Sequence, residues 1–251
     1  MIYFVGAGSG APDLITVRGA NLLQKADVVV YAGSLVNPAL LESCKPECQI
    51  YNSAKMTLEE VMDVMIPAEQ NGKLVVRLHT GDPCVYGAHR EQMDILDAHQ
   101  ISYEVVPGVS SFCGAAAALK AEYTLPDVSQ TVILTRMEGR TPVPEKEKIE
   151  LLAAHGATMV IFLSAGQMEP LSQRLLAGGY APETPVGIVY KATWPDEKVV
   201  RTTVAQMAED AKKHHITKTA LITVGNFLGS HYERSKLYDP TFTTEFREAT
   251  K

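Results

Sequence analysis

Cysteine is scarce in this chain, with only Cys44, Cys48, Cys84 and Cys113 among 251 residues. Four cysteines are too few for a disulfide framework at this length. The pair Cys44-Lys-Pro-Glu-Cys48 has no second pair at matching spacing to complete a four-ligand zinc site. Histidines 79, 89, 99, 155, 214, 215 and 231 are scattered, and the adjacent His214 and His215 point to different sides of a helix. No metal is expected. A basic excess is also missing: 23 Lys+Arg against 29 Asp+Glu leave a net charge of −6. Phosphate contacts need a basic surface, so no nucleic-acid partner is expected. No apolar run reaches the ~20 residues of a membrane helix. The opening Met1-Ile-Tyr-Phe-Val-Gly6 carries no basic region and breaks early at glycine, unlike a signal peptide. A cytoplasmic location and no membrane partner are the expectations. There is no G-x-S-x-G elbow and no P-loop. An enzyme with so little nucleophilic equipment works by holding two reactants together.

With 46% hydrophobic and 21% charged residues, the composition is that of a folded globular protein. Strand-like runs alternate with helical ones. Residues 2–5 read as a strand, a helix follows from Asp13 or Thr16 to about 26, and residues 27–31 form a buried strand. Thr57-Leu-Glu-Glu60 fits a capping box, and Pro67 should kink or interrupt the helix behind it before Gly72 stops it. Strands over 74–78 and 103–106 flank a polar helix ending near 98, and an alanine-rich helix covers 115–118. A polar stretch over 122–130 with Pro126 reads as a linker. Beyond it come strands at 131–134, 158–163, 186–190 and 220–224. Helices at 146–155, 169–177 and 203–213 separate them. The pattern predicts an α/β protein of two α/β domains, residues 1–121 and 122–251.

Three loops stand at strand ends. Gly6-Ala-Gly8-Ser-Gly10 is G-x-G-x-G rather than G-x-G-x-x-G, and the second strand ends Tyr31-Ala-Gly-Ser34 without the acid that holds a nicotinamide ribose. A nicotinamide cofactor is therefore disfavoured. The glycine loop is either a tight turn or a close backbone approach to a ligand. In Thr80-Gly81-Asp82-Pro83, Gly81 permits close approach and Asp82 offers acceptors. Pro107-Gly108-Val-Ser110-Ser111 offers hydroxyls and helix-start N–H groups. Taken singly, Asp82 and Ser110 read equally well as helix caps. Three such loops in one half-chain favour a pocket beyond the carboxyl ends of the strands.

Together the loops resemble the tetrapyrrole (corrin/porphyrin) methyltransferase family. Val5–Gly10 is similar to its first motif, Arg77–Gly87 to its second and Val106–Ser111 to its third. Thr135-Arg-Met-Glu-Gly-Arg-Thr-Pro-Val-Pro144, Tyr190-Lys-Ala-Thr-Trp-Pro195, Lys218–Leu221 and Ser235–Tyr238 resemble one branch of it. In one respect the chain departs: the family's first loop usually reads Gly-x-Gly-Pro-Gly-Asp, where this one has Ser9 and Ala11. The resemblance implies a cofactor cleft between two α/β domains, a homodimer, and methyl transfer from S-adenosylmethionine to a ring carbon, leaving S-adenosylhomocysteine. The implied cofactor contacts are Ser9, Thr80, Gly81, Asp82, Val85, Ser110, Ser111, Leu163, Ala192, Thr219 and Ala220. Leu163 and Ala192 would close strands of the second domain. Asp82 would orient the cofactor or handle a proton. Arg136, Arg140 and Lys191 would meet the carboxylates of a tetrapyrrole substrate, because an acidic chain needs local cations to hold an anion. Other implied readings are methylation elsewhere on a tetrapyrrole ring and tetrapyrrole binding without turnover.

Overall fold

The computed structural model describes residues 1–250. They form two compact units, Met1–Gly114 with Ala192–Asp196, and Ala115–Lys191 with the described residues from Glu197 onward. Each carries its own five-stranded sheet. No helix among the described residues is long and apolar enough to cross a membrane.

In the first unit β1 (Ile2–Gly6), α1 (Val17–Lys25), β2 (Val28–Tyr31), β3 (Gln49–Asn52), α2 (Leu58–Gln70), β4 (Val75–His79), α3 (Arg90–Ala98), β5 (Tyr103–Val106) and the start of α4 (Ser111–Leu119) follow one another. The sheet order is β3-β2-β4-β1-β5, every pair parallel. Side chains alternate across a strand, so each strand feeds two cores. Ile2, Phe4, Val28, Val30 and Val75 pack with Val61, Met62 and Met65 of α2 and Leu96 of α3. Val5, Val29, Val76 and Leu78 pack with Leu23 of α1 on the other face. Each such side chain contributes about 1.5–3 kcal/mol when fully buried. Helix starts follow local chemistry. The Thr16 hydroxyl accepts the Gly19 N–H, and Thr57 and Glu60 close a reciprocal capping box. Of the two expectations for Pro67, interruption is not what happens: α2 continues through it. The ring leaves the Asp63 carbonyl without its helical donor, a loss that costs less where both residues are exposed to solvent.

The second unit contains the rest of α4, then β6 (Val132–Arg136), α5 (Ile149–Ala153), β7 (Thr158–Phe162), α6 (Met168–Ala177), β8 (Pro185–Tyr190), β9 (Lys198–Thr203), α7 (Met207–Lys213) and β10 (Ala220–Val224). Its order is β6-β7-β10-β8-β9, with only β6 and β7 parallel. One large core joins Met159, Ile161, Ile188 and Ile222 to Leu171 and Leu175 of α6, with Met207 of α7. Two elements depart from the sequence reading. Residues 198–203 form β9, so the helix expected from 203 starts at Met207; and β3 is a strand where none was expected. Both are edge strands, paired on one side only, and they keep polar, exposed positions that blur a strand signal.

Candidate functional site

Gly6 closes β1, Gly81 follows β4 and Gly108 follows β5, on three neighbouring strands. Their backbones touch. A Cβ on Gly6 would lie 2.6 Å from both the Gly108 Cα and the Gly81 carbonyl oxygen, so no larger residue lets these loops meet. The Ala7 N–H donates to the His79 carbonyl at 2.7 Å, and Gly8 and Gly81 exchange bonds of 3.2 and 3.0 Å.

Asp82 ties the second loop to the third. Its Oδ1 accepts the Cys84 N–H at 2.7 Å and its Oδ2 the Gly108 N–H at 2.8 Å. Burial pushes this carboxyl up, but hydrogen bonds from Cys84 and Gly108 outweigh that and hold it below its ordinary value. An ionised carboxylate with both oxygens engaged is suited to orienting loops rather than to taking protons. The Thr80 Oγ1 is buried and has no hydrogen-bond partner among the described residues. Val85 lies half-buried on the next turn. Ser110 is buried, its carbonyl accepting from Cys113 and Gly114, and Ser111 opens α4. Ser9 is also buried, its Oγ 3.2 Å from the Thr193 Oγ1. Ala192 does not close a strand of the second unit. It opens the 192–196 segment grouped with the first, where its carbonyl abuts Gly10. Ser9, Thr80, Gly81, Asp82, Val85, Ser110, Ser111 and Ala192 thus fall in one unit.

Leu163, Thr219 and Ala220 fall in the other. Because β10 is antiparallel to β7 and β8, its start shares an edge of the sheet with their ends. Leu163 follows β7, Lys191 follows β8, and Thr219 precedes β10, whose first residue is the buried Ala220. Leu163, Lys191 and Thr219 have φ of +53°, +47° and +53°, and Leu163 is 66% exposed. Left-handed backbone at non-glycine residues is costly and tends to collect at functional sites. The Lys191 N–H donates to the Thr219 carbonyl at 2.9 Å, and its ammonium lies 5.5 Å from the Tyr190 ring centroid.

Arg136 ends β6 on the same edge, parallel to β7. Its guanidinium donates to the carbonyls of Met137, Thr141 and Pro142 at 3.2, 3.3 and 2.8 Å, so it braces its own loop. Arg140 projects from that loop, exposed. Glu138 in the loop is paired with Arg174 of α6 at 2.6 Å, a tether between distant positions that no local pattern announces. An open depression of about 710 Å³, lined in part by Asp127, Asn226 and Tyr232, opens beyond the far end of β10.

Beneath the loops of the first unit lies a buried polar layer that sequence reasoning missed. Arg77 and His79 alternate with Val76 and Leu78 along β4 and so face the α2–α3 side. The Arg77 Nε donates to Gln92 Oε1 at 3.1 Å and its Nη1 to the Val30 carbonyl at 3.1 Å, while Gln92 donates to the Ala88 carbonyl at 2.9 Å. Burial lowers Arg77 to about 10, which leaves it cationic at neutral pH. His79 is lowered to about 3, first by burial and then by Arg77 and His89. Among the described residues no group of three or more His, Cys, Asp or Glu could hold a metal ion.

Comparison with known proteins identifies the family. A sequence model described as tetrapyrrole (corrin/porphyrin) methylases matches residues 1–208. The cobalt-precorrin-4 C(11)-methyltransferase of Methanocaldococcus jannaschii is 55% identical over 251 residues, spanning 100% of this chain and 97% of that protein. The X-ray structure of a cobalt precorrin-4 methyltransferase, a cobalamin biosynthetic enzyme, superposes with a TM-score of 0.89 at 50% identity, covering 91% of this chain and 96% of that one. A uroporphyrin-III C-methyltransferase of Thermus thermophilus complexed with S-adenyl homocysteine superposes with a TM-score of 0.75 at 27% identity, covering 93% and 95% of the two chains. An α/β chain with three glycine-closed strand ends and likeness from end to end belongs to the tetrapyrrole (corrin/porphyrin) methylases.

Proposed function

We propose that this protein transfers a methyl group from S-adenosylmethionine to carbon 11 of cobalt-precorrin-4, a step of cobalamin biosynthesis. The observation that carries the reading is full-length likeness to proteins of that activity at 50% identity or more. The first unit supports the cofactor: its three loops meet at glycines too tightly for any side chain at Gly6 or Gly108, and the buried Thr80 Oγ1 beside them has no partner among the described residues. These residues fit such a molecule. Bound there, S-adenosylmethionine supplies an electrophilic methyl group on a sulfonium.

The chain's own contribution is positional. Ser9, Thr80, Gly81, Val85, Ser110, Ser111 and Ala192 would hold the cofactor, with Leu163, Thr219 and Ala220 contributing from the second unit. Asp82 keeps two of the loops in register and remains ionised. Carbon 11 becomes quaternary on methylation, so no proton leaves that carbon and no strong base is needed there. The positive charge that arrives with the methyl group leaves as a proton from elsewhere on the macrocycle, and at carbon 11 itself alignment and exclusion of water serve in place of a base. Arg140 and Lys191 would meet substrate carboxylates, with Arg136 shaping the loop that presents Arg140. The family resemblance further supports a homodimer.

The test is a mass-spectrometric assay with S-adenosylmethionine and precorrin-4, with and without cobalt. One added methyl at carbon 11, faster on the cobalt form, is the expected result. Methylation at another position overturns the regiochemistry. Tetrapyrrole binding without turnover makes the protein a binder rather than an enzyme.

A further inference from the structure

The loop over residues 6–10 has three glycines in five positions, with Gly8 at φ +83° and Gly10 at φ +154°. Glycine gives a loop reach and leaves it many competing conformations, so a ligand-binding shape must be imposed from outside. Much of that work falls to five residues remote in sequence. Thr193 Oγ1 accepts the Ala11 N–H at 3.0 Å and lies in hydrogen-bond contact with Ser9 Oγ at 3.2 Å. Its methyl packs at Gly114, where an added Cβ would come within 3.3 Å of Thr193 Cγ2 and 2.8 Å of the Ser9 Cβ. On the other side a Cβ on Gly10 would overlap the Trp194 ring, and Asn37 donates to the Gly10 carbonyl at 2.9 Å. Thr193 itself sits at φ +68°, a poor conformation for a β-branched residue. Strain of this kind costs about 1–3 kcal/mol and persists only where surrounding contacts enforce it.

We propose that Thr193 is a positioning residue for cofactor binding, its hydroxyl fixing Ser9 and Ala11 so that the glycine loop is held in its ligand-ready shape. The inference rests on the S-adenosylmethionine reading above. The hydroxyl suits the task because it can accept from the Ala11 amide and still share a bond with Ser9. Valine keeps the shape and removes both bonds. Serine keeps the hydroxyl and loses only the methyl.

The experiment compares wild type, Thr193→Val and Thr193→Ser by calorimetric titration with S-adenosylhomocysteine, by steady-state methylation, and by hydrogen exchange at the Ala11 amide. For Thr193→Val, the dissociation constant and the KM for S-adenosylmethionine should rise about tenfold while kcat changes less than about twofold. Ala11 should exchange faster even without ligand. Thr193→Ser should stay within about twofold of wild type in all three. Wild-type affinity and protection in Thr193→Val overturn the proposal while leaving the activity intact, as does Thr193→Ser failing as badly as Thr193→Val. Failure of the wild type to bind S-adenosylhomocysteine overturns the cofactor reading and the proposal with it.

Discussion

At the scale of single residues, the buried His79 at the end of β4 and the half-buried Asp82 just beyond it each tie the first unit to pH. Asp82 accepts N–H bonds from two loops, and Asp82→Ala leaves both donors unpaired in a half-buried setting. Affinity for S-adenosylhomocysteine should fall at least tenfold by calorimetry; unchanged affinity would remove Asp82 from the site. His79 acts through its proton. Its folded value of about 3 lies well below the ~6.5 of an unfolded histidine. As pH falls below 6.5 the unfolded chain takes up a proton that the folded chain refuses, so the stability His79 provides is complete above 6.5 and is lost towards 3. The slope approaches about 1.4 kcal/mol per pH unit. Urea denaturation at several values between pH 7.5 and 4.5 should show this loss, and His79→Phe should flatten it by roughly 1 kcal/mol per unit. An unaltered slope in that variant would place the proton uptake elsewhere. Asp82 weakens the fold only at lower pH, near and below the ordinary aspartate value, because its own value is depressed.

Among the elements, α2 shows how exposure settles a conflict between propensity and packing. Val61, Met62 and Met65 anchor its inner face, and Pro67 sits on the outer one. Pro67→Ala restores a helical hydrogen bond to the Asp63 carbonyl and removes a residue that disfavours helix by about 3 kcal/mol relative to alanine. The freer unfolded chain offsets part of this, so a gain of about 1–2 kcal/mol in urea denaturation is expected. A loss would mean that the Pro67 ring makes packing contacts that alanine does not replace. The loop after β6 is held as firmly, by the Arg136 fork on three carbonyls and the Glu138–Arg174 pair. Arginine-rich signals in that segment therefore divide, with Arg136 turned inward on its own backbone and Arg140 left exposed.

For the whole molecule, a net charge of −6 opposes a polycarboxylate substrate, whereas local cations attract it. If Arg140 and Lys191 dominate, raising salt from 50 to 500 mM screens the attraction and raises the KM for the tetrapyrrole several-fold, with less effect on S-adenosylmethionine. A fall in KM would show that the overall charge governs approach. Most of the fold was legible because it rests on short-range chemistry: β-branched runs for central strands, the Thr16 and Thr57 caps, and Gly72 after α2. The edge strands β3 and β9 were not, since one-sided pairing tolerates polar residues. Strand-like runs followed by Gly, Asp, Pro and Ser located three loops at strand ends, and glycine is needed there because the backbones at Gly6 and Gly108 meet and Gly81 has φ +62°. The amino-acid order could not assign residues 192–196, lying between β8 and β9 of the second unit, to the first. Nor could it show Thr193 bonding Ser9 and Ala11, or Arg77 and His79 buried under the loops. Those contacts join positions far apart in the chain, and their partners are chosen by packing, which carries no local signature.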